Sequence, residues 1–212
     1  MTAAQVAFAA NWLLMSRLSR SAPGEPTGHL AAIGRPRFVT TVVRLPADVA
    51  ERLAEAASRP DRIQPGHYLY PPDSIHLTVL GLADSPDAGR EVEVAVRRHR
   101  RFPIEVRGLN LTRDTVFAEL QPRAPELLAL RNDLRAVESH EHGLISRWIR
   151  RRLAHANLLR FAAPVDRRLV AEVGKLRRAR FGGFEVEEVE LVHTDKVMSG
   201  ARTRTLARYR LG

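Results

Sequence analysis

The sequence predicts an α+β fold in which two lobes of antiparallel sheet, flanked by helices, face one cleft. Three observations lead there. Short β-branched runs alternate with helix-like stretches, in the order strand–helix–strand–helix–hairpin–helix and then strand–helix–strand–strand. The second half repeats the first in outline. Each half also holds a strand on which a histidine and a polar side chain share a face, His76 with Thr78 and His155 with Asn157.

Residues 1–22 read as an alanine-rich helix carrying Val6, Trp12, Leu13 and Leu18, and the prolines and glycines of 21–28 read as a linker. Residues 1–35 are therefore an extension, docked or partly disordered, to a domain spanning 36–212. That domain opens with a β-branched strand, 38–45. Pro46 suits a helix start, so 47–57 is predicted helical. A proline-rich loop, 60–73, holds Tyr68 and Tyr70. Strand 75–82 carries His76 and Thr78, and 87–99 reads as a helix. Residues 102–112 and 115–121 form a hairpin turning at Arg113-Asp114. Helix 125–138 sets Leu127, Leu128, Leu130 and Leu134 on or near one face. Strand 153–161, helix 165–178 and strands 184–193 and 203–211 complete the chain.

Composition narrows the function. The 212 residues include 34 Lys+Arg against 24 Asp+Glu, a net charge of +10. Such a chain seeks phosphates, nucleic acid or an acidic surface. There is no cysteine, which excludes disulfides, Cys-ligated zinc, iron–sulfur clusters and a thiol nucleophile. No apolar run reaches the roughly 18 residues of a membrane span. Residues 6–15 come nearest but are interrupted by Asn11, and they lack a basic lead-in and a cleavage site. No glycine-rich phosphate loop is present. A cytoplasmic monomer without cofactor, metal or membrane contact is expected. His140-Glu-His142 reads as a surface turn, not a metal pair.

The chemistry lies with the two histidine strands. An imidazole can move a proton near neutral pH. A neighbouring hydroxyl or amide can donate a hydrogen bond to a phosphate oxygen. One such strand alone reads as a hydrogen-bonded core pair. Two of them read as walls of one cleft. His193-Thr-Asp195 is a poorer second motif, because its carboxylate would repel phosphate.

His76-Leu-Thr78-Val79 and His155-Ala-Asn157-Leu158, with their flanks, resemble the two-histidine (2H) phosphoesterase superfamily. That group includes the bacterial RNA 2′,3′-cyclic phosphodiesterases, once called 2′-5′ RNA ligases. Its signature is a pair of His-x-Thr/Ser-x motifs on strands of two pseudo-symmetric lobes. The lead-in Tyr68-Leu-Tyr-Pro-Pro-Asp-Ser-Ile-His76, the continuation Leu158-Leu-Arg160-Phe161 and the closing stretch 181–211 are similar as well. The likeness covers roughly 36–212.

The resemblance implies a metal-free phosphodiesterase acting on RNA or a nucleotide with a 2′,3′-cyclic phosphate. One histidine would take a proton from water and the other give one to the leaving sugar oxygen. Thr78 and Asn157 would hold the non-bridging oxygens, and a 2′-phosphate would remain. Asn157 stands where the family has Thr or Ser. Its amide can still donate, but it is longer and planar. The alternative is a 2H-like module that binds RNA or a phosphorylated nucleotide with little or no turnover.

Around the second motif, Arg147, Arg150, Arg151, Arg152 and Arg160 offer a track for an RNA backbone. In a regular strand Arg160 would point away from the face of His155 and Asn157. Tyr68 and Tyr70 are candidates to stack on a base.

Overall fold

The computed structural model describes residues 30–34, 38–83, 87–138, 153–200 and 202–212. The predicted N-terminal helix and linker, His140, His142 and Arg147 to Arg152 lie outside the described residues.

Strand β1 (Phe38–Arg44) lies between β3 (His76–Gly81) and β8 (Glu188–Thr194), and β9 (Arg204–Arg210) completes a first sheet ordered β3-β1-β8-β9. A second sheet runs β2 (Tyr68–Leu69), β6 (His155–Arg160), β5 (Thr115–Pro122), β4 (Phe102–Leu111), β7 (Arg180–Val186). Every pairing is antiparallel. The predicted hairpin is β4–β5. The two histidine strands, β3 and β6, fall in different sheets, one per lobe.

Among the described residues four helices flank the sheets: α1 (Ala47–Ile63), α2 (Ala88–Arg97), α3 (Glu126–Asp133) and α4 (Arg167–Lys175). Helix α1 buries Val49, Ala50, Leu53, Ala56 and Ala57 at helical spacing. With α4 it covers one face of the second sheet, while α2 and α3 cover the first. Leu77, Val79, Ala156 and Leu158 point into the core beneath these helices. The alternate residues Thr78, His155 and Asn157 face the other way, because side chains in a strand alternate.

Three sequence expectations change. Helix α1 runs on to Ile63 through Pro60, which is buried near its end. The predicted helix 125–138 is α3 followed by a 3₁₀ turn, Leu134–Val137. The single strand expected at 184–193 is two strands separated at Glu187. Its first part pairs with β4 in the second sheet and its second part with β1 in the first. A chain that changes sheets must break its ladder, which β-propensity does not register.

Helix α3 also supplies the joint between lobes. Arg131 is 2% exposed. Its Nη2 donates to Thr78 O at 2.7 Å and its Nε to Val79 O at 2.8 Å, both on β3. Its Nη1 donates to Leu153 O at 2.8 Å, just before β6. Burial lowers the guanidinium to about 9, so it stays charged at neutral pH. Charged hydrogen bonds each contribute about 1.5–3 kcal/mol. Arg131→Leu is therefore expected to lose at least about 3 kcal/mol of stability, read from urea unfolding. A loss below about 1 kcal/mol would show that the joint is not structural.

Candidate active site

Before β3 the chain makes a 3₁₀ turn, Pro72–Ser74, favoured by its prolines. That turn aims Ser74 O at His76 Nδ1, 2.7 Å away. A carbonyl only accepts, so Nδ1 carries the hydrogen and Nε2 keeps its lone pair when the ring is neutral. His76 is buried. Burial lowers its pKa to about 4, with Arg44 and Arg160 adding to the shift and the Ser74 bond opposing it.

Arg44 sits opposite His76 in the β1–β3 register. Its Nε donates to Glu190 Oε2 at 3.2 Å and its Nη1 to Asp73 O at 3.2 Å. Glu190 also accepts from Arg208 Nε at 2.9 Å. Burial alone would raise the Glu190 carboxyl, but these two arginines hold it below its usual range. Thr78, two residues on from His76, is exposed.

On β6, His155 lies opposite Glu119 and Asn157 opposite Phe117. The Phe117 ring meets His155 edge-on, with centroids 5.7 Å apart at 69°. Asn157 Oδ1 is buried with no hydrogen-bond partner. An amide turned about its last torsion can offer either its oxygen or its NH₂ at that spot, so a ligand is well placed to satisfy it.

Arg160 does not obey regular strand alternation. The β5–β6 register slips, passing from Val116↔Leu159 to Phe117↔Asn157, so Leu158 is an extra residue on β6. This bulge inverts the parity beyond it and puts Arg160 on the face of His155 and Asn157. Its Nη1 donates to Asp114 Oδ2 at 2.8 Å and its Nε to Tyr70 Oη at 3.3 Å. Its charge reaches His76 across the lobe boundary.

Tyr70 is 1% exposed, so it has no ring face for a base and serves instead as a partner of Arg160. Tyr68 is half-buried and packs edge-on against Tyr70, 5.1 Å between centroids. Burial, with Tyr70 and two aspartates adding, pushes its phenol up to about 12. Arg150 and Arg152 lie outside the described residues.

The structure thus brings His76, Thr78, Arg160 and the β6 motif together at the junction of β3 and β6, which pack side by side. Arg44, Asp114, Phe117 and Arg131 also serve this site and escape the sequence reading. Of these, only the placement of Asp114 at the β4–β5 turn has a signal in the sequence. Among the described residues no three His, Asp or Glu side chains converge to hold a metal.

No protein-family profile and no curated protein sequence matches the chain. Solved structures do. TT0787 of Thermus thermophilus aligns with a TM-score of 0.60 at 22% identity, covering 82% of this chain and 98% of that one. E. coli LigT complexed with ATP gives 0.55 at 19% identity, covering 84% and 99%. ATU0111, a conserved protein of unknown function from Agrobacterium tumefaciens, gives 0.57 at 12% identity, covering 91% and 97%. The fold is that of TT0787 and E. coli LigT. In this chain each sheet contributes one histidine strand, and the two strands are bridged by Arg131.

His76 is expected to titrate near pH 4, followed by NMR of its ring nitrogens, and to remain neutral from pH 5 to 7, where a free imidazole protonates. In Arg44→Ala the midpoint should rise. A wild-type midpoint near 6.5 would mean that water reaches the ring.

Proposed function

We propose that the protein is a metal-independent phosphodiesterase that opens a 2′,3′-cyclic phosphate, on an RNA end or a nucleotide, and leaves a 2′-phosphate. The observation that carries this reading is the pairing of two histidine strands from separate lobes. One of them holds a neutral imidazole whose Nδ1 is already engaged by Ser74 O. E. coli LigT, which shares the fold, has been solved with phosphate, with 3′-AMP, with ATP and with NADP+. A nucleotide phosphate in the corresponding cleft of this chain is in keeping with those complexes and with the +10 charge.

His76 acts as the base. Its Nε2 takes a proton from water as the water oxygen attacks phosphorus. The P–O3′ bond breaks and O3′ receives a proton from protonated His155. The 2′-ester is untouched. Charge that builds on the non-bridging oxygens is held by the Thr78 hydroxyl and the Asn157 amide, with the Arg160 guanidinium beside them. A base with its pKa near 4 is weak but fully deprotonated at neutral pH, so its availability never limits the rate there. Arg150, Arg152 and Tyr68 remain candidates for contacts to the rest of the substrate.

The test is hydrolysis of 2′,3′-cyclic nucleotides in EDTA. His76→Ala and His155→Ala should each lower kcat/KM by about a thousandfold or more, with circular dichroism unchanged. Full activity in either variant would end the reading. The base must be neutral, so its protonation sets the acid limb of kcat/KM. That limb should lie near pH 4 to 5 and not near 6.5. Asn157→Ala should lose about a hundredfold, the effect of one missing oxyanion donor. If the wild type binds nucleotide but turns none over, Asn157 marks a binding module.

A further inference from the structure

The His193-Thr-Asp195 stretch has a use other than binding phosphate. Asp195 directly follows β8 and is fully buried. Its Oδ1 accepts from Val197 N at 3.1 Å and Ser199 N at 3.0 Å. Its Oδ2 accepts from the Ser199 hydroxyl and from Gly34 N at 3.0 Å. Burial would raise the carboxyl, but the Ser199 hydroxyl and the amides of Gly34, Ser199 and Val197 hold it below its usual range. Three of these four donors curl the chain that leaves β8. The fourth belongs to the segment ahead of the domain, whose 3₁₀ turn, Leu30–Ala32, rests Leu30 on the core.

The curl brings Met198 to the cleft. Its φ of +54° is the only positive φ outside glycine among the described residues. L side chains rarely adopt that conformation, and the Asp195 bonds to Val197 N and Ser199 N hold it from both sides. The Met198 side chain packs on Val42 and Val192, and the three form a buried cluster separate from the main core. Val42 lies opposite Thr78 on β3 and opposite Glu190 on β8. It therefore shares the face of Thr78, away from the core. Met198 is thus an apolar cover on the cleft floor, one side chain removed from Thr78. The charge of Asp195 also reaches the Tyr68 phenol on β2, so the curl borders the second lobe as well.

We propose that Asp195 is a positioning residue of the site: it seats Met198 beside Thr78, and through Gly34 it makes the segment ahead of the domain part of the same wall. The inference rests on the proposed phosphodiesterase reading for the reaction this wall serves. An apolar side chain at that place keeps water from one side of Thr78, which strengthens the hydrogen bond of its hydroxyl to a developing charge. A carboxylate suits the anchor because it only accepts, and donors from two remote segments converge on it. Asparagine keeps the shape but turns an NH₂ toward groups that themselves donate, so at least one bond is lost. Gly34 has φ +82°. Proline there removes the donor and cannot reach that angle.

Two measurements test it. In the first, cyclic-nucleotide kinetics are compared for wild type, Asp195→Asn, Gly34→Pro and the double variant. Each single variant should lower kcat by about tenfold with KM within about twofold, since the wall acts on charge that builds only in the transition state. Both act through one contact, so the double variant should be no slower than the slower single one. A merely structural bond would lower the melting temperature and leave the kcat of the folded protein at its wild-type value. Wild-type kcat in either variant, or losses that multiply, overturns the wall and leaves the phosphodiesterase reading standing. The second measurement needs no turnover. With labelled methionine methyl groups, 3′-AMP should shift the Met198 NMR signal in the wild type and not in Asp195→Asn. If the wild type turns nothing over, that result upholds the wall and ends the phosphodiesterase reading. No shift in the wild type, or the same shift in Asp195→Asn, overturns the wall.

Discussion

The junction of the two histidine strands depends on one buried guanidinium. Strands β3 and β6 belong to different sheets, so no ladder fixes one against the other. Arg131 does so by donating to carbonyls before β6 and along β3. Taking a guanidinium out of water is costly, and its partners must compensate. Carbonyls suit that task, since each has two lone pairs and can accept beyond its own ladder. The donor geometry of arginine is rigid and planar, so three bonds from one group also set an angle between the lobes. Leucine neighbours on α3 seal the joint from solvent, with Leu127 and Leu130 fully buried.

A second balance operates around His76. The imidazole is buried and has two arginines near it, and all three effects favour its neutral form. Ser74 O works against them but chooses the tautomer. Arg44 is held in place by Glu190, which Arg208 also holds. The carboxylate keeps Arg44 extended along the sheet without drawing His76 into an ion pair. The same cations that keep the ring neutral raise the local attraction for an anion. One electrostatic arrangement thus keeps the ring neutral and favours an anion beside it.

Much of this is legible in the sequence. Strand alternation places His76 with Thr78 and His155 with Asn157, and the β-branched runs locate most strands closely. The illegible parts share a cause. The bulge at Leu158 has no glycine or proline to announce it, yet it carries Arg160 across to the other face. The break at Glu187 is set by which sheet each half joins. Tyr70 has the local setting of a loop aromatic, whereas β2 pairs with β6 and draws it into the core. Arg131 has the setting of an ordinary polar position on a helix. In each case the deciding partner is remote in sequence, and local propensity is silent about it.

The crossover at Glu187 has a mechanical consequence. It joins the sheets by a single residue beyond β7, the edge of the second sheet opposite β6. Arg131 joins them on the β6 side. Walls fastened along both margins cannot swing apart about either one, and a continuous core runs beneath both sheets. The two lobes are therefore expected to unfold as one cooperative unit, with a ligand entering along the length of the groove.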